Sequence, residues 1–127
     1  MPNSHHFIGV GPIAEELLKG ARKPEALVSL ISDLIRNCGF GIVSEHSAGF
    51  EGGGTTLVWI LAESHLVVHL WVAEGFVTVD LHVCDFTTSN AESSKQLKNQ
   101  LSEFCFAGGH ATWQEITVEQ PHYALQG

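Results

Sequence analysis

Residues 55–84 read TTLVWILAESHLVVHLWVAEGFVTVDLHVC, and this stretch predicts three successive β-strands. We expect them at about Thr55–Ala62, His65–Trp71 and Phe76–Cys84. The links between them are too short for a crossover helix, so the strands should pair as antiparallel neighbours. In the third strand apolar and polar residues alternate, which predicts a sheet with one face on a core and one polar face.

Helical patterns flank this stretch on both sides. A short helical segment is predicted at Ile13–Ala21. From Pro24 onward, apolar residues recur at helical spacing until Gly39, which stands where a C-cap belongs. A further helix should follow the N-cap residues at 87–90 and run to about Phe104, before the glycines at 108 and 109 break it.

Three more strands complete the prediction, at His6–Val10, Phe40–Glu45 and His110–Val118, with an extended tail after Pro121. The element order is therefore β-α-β-β-β-β-α-β. This order predicts an α+β fold, a two-layer sandwich in which an antiparallel β-sheet carries its helices on one face. At 127 residues, the chain is expected to form one domain, residues 1–127.

The composition argues against several classes of partner and compartment. The net charge is −8, and the six Lys and Arg residues are scattered, so neither nucleic acid nor an anionic membrane is an expected partner. Three cysteines with no CxxC pattern indicate neither a disulfide framework nor a zinc knuckle, and no metal is expected. The absence of a signal-peptide pattern and of a membrane-spanning apolar run predicts a cytoplasmic protein.

The candidate site centres on Ser64, which lies between Glu63 and His65 at the junction of two apolar runs. If Glu63 and Ser64 form a two-residue turn, Ala62 pairs with His65. Thr56 then lies one diagonal step from His69, on the same face. Glu-Ser lacks the glycine or asparagine of a relaxed hairpin turn, so a strained turn is the hypothesis.

The next turn, residues 72–75, brings Cys84 into the same region. It pairs His69 with Thr78 and places Cys84 opposite Ser64 to within one residue. Ser64, His69, Thr56 and Cys84 are therefore expected to converge on one end and one face of the sheet.

Other interpretations of these residues have less support. His65 and His69 would be a metal pair on a helix, but on a strand they lie roughly 13 Å apart, too far to share one ion. No GxSxG elbow surrounds Ser64, as a serine-histidine-acid triad would require. The glycine-rich loop at 47–54 lacks a phosphate-binding pattern and is better interpreted as a mobile loop beside a site.

The segment Ser44–Cys84 resembles the small bacterial and archaeal S-adenosylmethionine decarboxylase proenzymes. The matching text is SEH, then Phe50 and a glycine-rich turn, LAESHLVVHLW, and VDLHVC. The ESH core, a histidine five residues after the serine, and a VDL-x-x-C strand are the specific features. Outside this third of the chain the similarity is weak.

The resemblance implies that the chain cleaves itself between residues 63 and 64. Ser64 Oγ would attack the Glu63 carbonyl, and β-elimination of the resulting ester would leave a β chain, 1–63, and an α chain, 64–127, that begins with a pyruvoyl group. By the family's pattern, Thr56 supports the acyl shift, His69 removes the α-proton, and Cys84 donates a proton during turnover. The covalent pyruvoyl cofactor is an electron sink that forms a Schiff base with a substrate amine.

The resemblance also implies substrate contacts at Phe50, His65 and Glu74, with Phe50 stacking on adenine. The chain departs from the family's pattern at three places. Thr56 stands where serine is usual, and Val10 replaces an acid near the N-terminal strand. Val72-Ala73 replaces Pro-Glu, which leaves Glu74 one place late.

The expected function is a pyruvoyl-dependent carboxy-lyase of polyamine and spermidine biosynthesis, acting on S-adenosylmethionine and forming a homo-oligomer, a dimer or higher. One alternative is decarboxylation of ornithine or arginine by the same fold. Another is an uncleaved, non-catalytic relative that acts as a binding or regulatory partner. Retention of Ser64, His69 and Cys84 together speaks against the latter.

Overall fold

The computed structural model describes residues 3–85 and 88–119. Within these residues six strands form a single antiparallel sheet in the order β2-β3-β4-β5-β1-β6. Three α-helices and one 3-10 turn complete the fold. The strands are β1 Asn3–Pro12, β2 Ile42–Gly49, β3 Thr55–Leu61, β4 Ser64–Trp71, β5 Phe76–Cys84 and β6 Thr112–Glu119. The helices are α1 Glu15–Gly20, α2 Pro24–Asn37 and α3 Ala91–Cys105, and the 3-10 turn is Ala107–Gly109.

The helices pack against one face of the sheet, as the sequence predicts. Alternate residues of the central strands are buried beneath them, because side chains on a strand point to opposite faces in turn. The core combines apolar side chains of the strands and helices: Phe7, Leu17, Leu27, Ile31, Ile35, Leu57, Trp59, Leu66, Val68, Leu70, Val79, Leu81, Leu97 and Leu101. The other face of the sheet is open within the described residues, and it carries the intervening side chains of each strand.

Both predicted ends of the strand that follows α2 differ from the structure. The strand predicted at Phe40–Glu45 begins instead at Ile42 and continues to Gly49. The reason is the end of α2: Gly39 has φ +91°, its amide bonds to the Arg36 carbonyl, and the Phe40 amide bonds to the Ile35 carbonyl. This is a Schellman cap, which uses the Phe40 amide before any strand can begin.

Strand β1 is longer than the sequence predicts. β1 spans Asn3–Pro12 rather than His6–Val10, because it is an inner strand held on one side by β5 and on the other by β6. The two helical segments predicted between β1 and β2 are both present as α1 and α2, although the predicted element order counted them as one helix. The helix predicted to follow the N-cap residues at 87–90 begins at Ala91, with Asn90 as its N-cap residue. The tail after Pro121 lies outside the described residues.

Candidate functional site

Ser64 is the first residue of β4 and follows a tight turn. Leu61 pairs with Ser64, so the loop between β3 and β4 consists of Ala62 and Glu63 alone. Glu63 has φ +56°, and it is the one residue other than glycine with positive φ in the described ranges. This conformation costs an L-residue roughly 1–2 kcal/mol. The expectation of a strained turn before Ser64 is confirmed.

The predicted pairing of β3 with β4 is wrong by two residues. The turn was expected at Glu63-Ser64, with Ala62 opposite His65; the structure places Ile60 opposite His65. A shift of two leaves every side chain on its original face, so the hydrophobic pattern could not distinguish the two registers. In the observed register Thr56 lies directly opposite His69 instead of diagonally.

The Ser64 side chain is held by the neighbouring strand. Its Oγ accepts a hydrogen bond of 3.1 Å from the backbone amide of Cys84, and the residue is only 9% exposed. The predicted pairing of β4 with β5 is confirmed, since His69 faces Thr78 and Trp71 faces Phe76. Ser64 and Cys84 are therefore adjacent, at the end of the sheet where β4 begins and β5 ends.

The Cys84 thiol is kept protonated by its surroundings. Burial raises its pKa, and the nearby Glu63 and Asp85 carboxylates raise it further. Its Sγ is 3.6 Å from Nε2 of His82 on the same strand. A thiol whose pKa is raised above its ordinary value is a poor nucleophile at neutral pH and a suitable proton donor.

Asp85 ties the end of β5 to two other elements, and sequence reasoning missed it. Its carboxylate accepts hydrogen bonds from the Asn90 amide at 2.7 Å, His5 Nε2 at 2.9 Å and the Asn3 amide at 3.3 Å. Burial alone would raise its pKa, but these three donors outweigh burial and the pKa is lowered. The available sequence signal was an acid between a strand and a helix start, where it can cap the helix.

Thr56 and His69 form the second part of the candidate site. Thr56 Oγ1 and His69 Nδ1 are 2.9 Å apart on the open face. The hydrogen bond orients the imidazole ring, which lies 6.2 Å from the Trp71 ring; Trp71 in turn stacks on Phe76 at 5.4 Å. A histidine oriented in this way is suited to remove or deliver a proton.

The two parts of the site do not meet within one chain. Ser64 and His69 are five residues apart on one extended strand, a separation of roughly 16 Å. The expectation that Ser64, Cys84, Thr56 and His69 converge on one end and one face of the sheet is therefore wrong. Along β4, Ser64 alternates in phase with the buried Leu66, whereas His69 is on the open face. Ser64 and Cys84 lie at one end, and Thr56 and His69 lie toward the other.

The predicted substrate residues divide in the same way. His65 lies beside Ser64 and contacts the His82 ring edge-on at 5.0 Å. Phe50 is 61% exposed in the β2–β3 hairpin, and Glu74 is exposed in the β4–β5 turn; both belong to the His69 end. A cleft of about 570 Å³ lies beside Phe50, and Arg22 and Val72 line it as well.

Comparison with known proteins identifies the family. The S-adenosylmethionine decarboxylase family profile matches residues 13–104. The chain belongs to the S-adenosylmethionine decarboxylase family. The matched region includes Thr56, Glu63, Ser64, His69 and Cys84, so the resemblance first seen in residues 44–84 extends over most of the chain.

Individual members of the S-adenosylmethionine decarboxylase family support the assignment. An S-adenosylmethionine decarboxylase proenzyme of Symbiobacterium thermophilum is 33% identical over 97 residues, 76% of this chain and 71% of the relative. A proenzyme of Pyrobaculum aerophilum is 31% identical over 81 residues, 63% of this chain and 65% of the relative. A third, from Pyrobaculum islandicum, is 33% identical over 99 residues, 74% of this chain and 78% of the relative.

The fold agrees with a solved structure of the same family. The adenosylmethionine decarboxylase of Aquifex aeolicus superposes with a TM-score of 0.62 and 19% identity, over 98% of this chain and 95% of that one. At this identity the likeness concerns the fold, an α+β sheet with helices on one face. None of the helices in residues 3–85 and 88–119 is long and apolar enough to cross a membrane.

Proposed function

We propose that this chain is a self-processing, pyruvoyl-dependent decarboxylase of polyamine biosynthesis that removes CO₂ from S-adenosylmethionine. The observation that supports it best is the positive φ of Glu63 directly before the buried Ser64. Strain in the peptide unit to be cleaved raises the ground state on the path to cleavage. The substrate is inferred from the relatives, which are named S-adenosylmethionine decarboxylase proenzymes.

The proposed processing uses side chains of the protein and one water molecule. Ser64 Oγ bonds to the Glu63 carbonyl carbon, and the peptide C–N bond breaks to give an ester. Loss of the Ser64 α-proton to His69 then expels the Glu63 carboxylate. Hydrolysis of the remaining unsaturated residue releases its nitrogen as ammonia and leaves a pyruvoyl group on the new chain end at position 64.

The hairpin geometry fits a break at this position. Ala62 and Glu63 are exposed and form the whole loop, so cutting after Glu63 removes no ladder hydrogen bond within a strand. β3 keeps β2 as its second neighbour, and β4 keeps β5. The fragments 1–63 and 64–127 would therefore stay associated through the sheet and the core.

In turnover, the pyruvoyl carbonyl supplies an electron sink that accepts the electron pair left when CO₂ departs. Cys84 is the proposed acid that protonates the same substrate carbon. Its raised pKa keeps the proton on sulfur near neutral pH. Its strand holds it beside Ser64, since the Cys84 amide already bonds to the Ser64 hydroxyl.

A second copy of the chain completes the proposed site. Processing requires a base at Ser64, yet His69 lies roughly 16 Å along the same strand. The open face also leaves large apolar side chains uncovered, and they favour burial against another apolar surface: Ile8, Val10, Ile60, Trp71 and Ile116. Two sheets packed face to face about a two-fold axis near Val67 would bring the His69 of one copy to the Ser64 of the other.

The same arrangement would assemble the substrate pocket. Phe50 and Glu74 of one copy would approach the Ser64 and His65 of the other, so that the aromatic ring contacts the adenine and the carboxylate contacts the ribose. Glu74 stands one place later than in the family's pattern, and the exposed β4–β5 turn has room to adjust to this shift. The small-molecule substrate, the homo-oligomer and the cytoplasmic location are parts of this proposal.

The first experiment is mass spectrometry of the purified protein under denaturing conditions. We expect fragments 1–63 and 64–127, with the mass of a pyruvoyl group at position 64. Ser64→Ala should remain one chain with an unchanged circular dichroism spectrum, and Ser47→Ala, in an exposed strand position, should be cleaved as the wild type is. An intact wild-type chain would refute the proposal in favour of a non-catalytic relative.

The second experiment identifies the substrate. Release of CO₂ from S-adenosylmethionine, ornithine and arginine should be compared on the cleaved protein. We expect release from S-adenosylmethionine. Release from either amino acid alone would overturn this substrate while leaving the pyruvoyl mechanism in place.

A further inference from the structure

His82 contacts the proposed catalytic thiol directly. His82 and Cys84 are two residues apart on β5 and so project from the same open face of the sheet. Nε2 of His82 is 3.6 Å from Cys84 Sγ, within hydrogen-bonding distance for sulfur. Both side chains are half-buried, which limits competition from water.

Two further histidines hold the His82 ring in place. His6 of β1 and His65 of β4 occupy the positions directly opposite His82 on its two neighbouring strands. The His6 ring lies against His82 with centroids 3.8 Å apart and the ring planes tilted by 36°, and the His65 ring meets it edge-on at 5.0 Å. An imidazole confined between two others has little rotational freedom, so its contact with the thiol is preorganised.

We propose that His82 is a positioning and proton-relay residue for Cys84, orienting the thiol toward the substrate and returning a proton to Cys84 Sγ after each turnover. This inference rests on the proposed decarboxylase function, in which Cys84 is the acid. His82 acts through Cys84 and makes no bond to the substrate.

With this relay, the protons taken up and given out in one turnover balance. CO₂ leaves its bonding electrons on the substrate carbon, and that carbon takes the proton of Cys84. The resulting thiolate takes the proton from Nε2 of His82, while Nδ1 takes one proton from solvent. Each cycle thus consumes one solvent proton, and the neutral imidazole is restored by a change of tautomer.

The charges around His82 favour the neutral ring that a relay of this kind needs. Burial lowers the pKa of His82, and His6 and His65 lower it further, while Asp80 on the same strand opposes them. Near the thiol, the Glu63 and Asp85 carboxylates raise the pKa of Cys84 and so oppose formation of the thiolate. A donor at Nε2 offsets part of that cost at the moment when the thiolate forms.

Metal binding is a weaker interpretation of this histidine cluster. Across residues 3–85 and 88–119, no three side chains of the ligand types are arranged to hold a metal ion. His82 Nε2 is directed to Cys84, and the other two rings contact His82 through their faces or edges.

The test is His82→Phe, which keeps an aromatic ring at this position but has no ring nitrogen. His110→Phe, at an exposed histidine after the 3-10 turn, is the matched control. After mass spectrometry has verified cleavage, kcat of His82→Phe should fall about tenfold or more, with KM nearly unchanged. His82→Ala should lose kcat similarly and recover part of it when imidazole is added to the buffer.

A second measurement needs neither cleavage nor turnover. Iodoacetamide should modify Cys84 preferentially, because Cys38 and Cys105 are 5% and 0% exposed, and peptide mass spectrometry identifies the site. In a Ser64→Ala background, His82→Phe should move the pH midpoint of Cys84 alkylation upward, because the thiolate loses its hydrogen-bond donor. An unchanged midpoint, or unchanged kcat in cleaved His82→Phe, overturns the inference. Failure of the wild type to cleave or release CO₂ overturns the proposed function instead, and the alkylation midpoint still tests the contact.

Discussion

Cys84 and Glu63 illustrate how single residues are prepared for chemistry in this protein. The thiol lies near two carboxylates that make its ionised form unfavourable, so it keeps its proton at neutral pH. Glu63 has a backbone conformation that its side chain disfavours, and the carbonyl that Ser64 would attack belongs to that residue. Only the second feature stores free energy next to the reacting atoms, and the packing of the surrounding strands holds Glu63 in this conformation.

The Thr56 hydroxyl is expected to matter for chain cleavage rather than for folding. Thr56→Val keeps the branched shape and removes the hydrogen bond to His69 Nδ1. We expect conversion of the precursor to slow by about tenfold or more, because the imidazole loses its orientation. The loss of stability should be about 1 kcal/mol.

Thr56→Ser is the matched control and should be cleaved at nearly the wild-type rate. The measurement is the ratio of intact to cleaved chain against time by mass spectrometry. Equal rates for the valine variant and the wild type would contradict a role for this hydroxyl.

Asp85→Asn is expected to reduce stability at neutral pH but not in strong acid. At pH 7 the substitution should cost about 1–3 kcal/mol, since three donors lose a charged acceptor. The folded-state pKa of Asp85 is lowered, so its contribution is fully present above the unfolded value of 3.8 and is lost as the pH falls below it.

Urea unfolding at pH 7, 5 and 3 measures this dependence. The difference between wild type and Asp85→Asn should shrink at the lowest pH. Asp33→Asn, whose side chain is 67% exposed, is the control and should change little at any pH. A difference that is constant with pH would contradict the assignment of the lowered pKa.

Side-chain hydrogen bonds fix helix α2 on the sheet. The Trp59 indole N–H on β3 donates to Ser32 Oγ at 2.9 Å, and that hydroxyl donates to Glu45 on β2 at 2.8 Å. Trp59 is fully buried, so its N–H has no access to water. This chain of bonds sets the position of the helix along the strands, which apolar packing alone specifies less sharply.

Ser32→Ala should therefore destabilise the protein more than an ordinary serine substitution. It leaves the buried Trp59 N–H without its acceptor, at a cost of about 1–3 kcal/mol. Ser29→Ala, on the same helix but exposed, should stay within about 0.5 kcal/mol of the wild type. Thermal and urea unfolding of the two variants provide the comparison, and equal losses would argue against the buried hydrogen bond.

The whole molecule has one covered face and one open face. Thr56, His69 and Cys84 are on the open face, whereas Ser64, the first residue of β4, is buried. The described residues leave several large apolar side chains exposed on the open face. The cleavable serine and its proposed base are separated along β4 by roughly 16 Å. The proposed association of two copies through this face would account for both features together.

Co-expression of two inactive chains tests this arrangement. Ser64→Ala and His69→Ala should each remain uncleaved when expressed alone. In a mixed dimer, the intact Ser64 of one chain meets the intact His69 of the other, so the His69→Ala chain should be cleaved. Co-expression of His69→Ala with the double variant Ser64→Ala/His69→Ala is the control and should give no cleavage.

Mass spectrometry distinguishes the chains by the masses of their substitutions. A cleaved fragment of the His69→Ala chain, seen only with the Ser64→Ala partner, is the expected result. No cleavage in the mixture would mean that His69 does not act between copies.

Much of the fold followed from patterns along the chain. Alternation in residues 76–84 identified the buried and open faces of β5, because strand geometry makes that pattern local. Helix α2 and its glycine cap were equally predictable from the sequence, since helical spacing and a left-handed Gly39 depend on neighbouring residues only. The motif around Ser64 indicated both the family and the strained turn.

The tertiary structure alone decided the distances between residues that are remote in sequence. The register of β3 on β4 could shift by two without exposing any apolar side chain, so the pattern left the partner of His69 undecided. The cluster of His6, His65 and His82 joins three strands from two regions of the chain, and no local pattern encodes such a contact. The Asp85 bonds to β1 likewise require the sheet to close. Patterns between neighbouring residues determine the helices and strands, but which side chains come into contact depends on how the strands pair and pack.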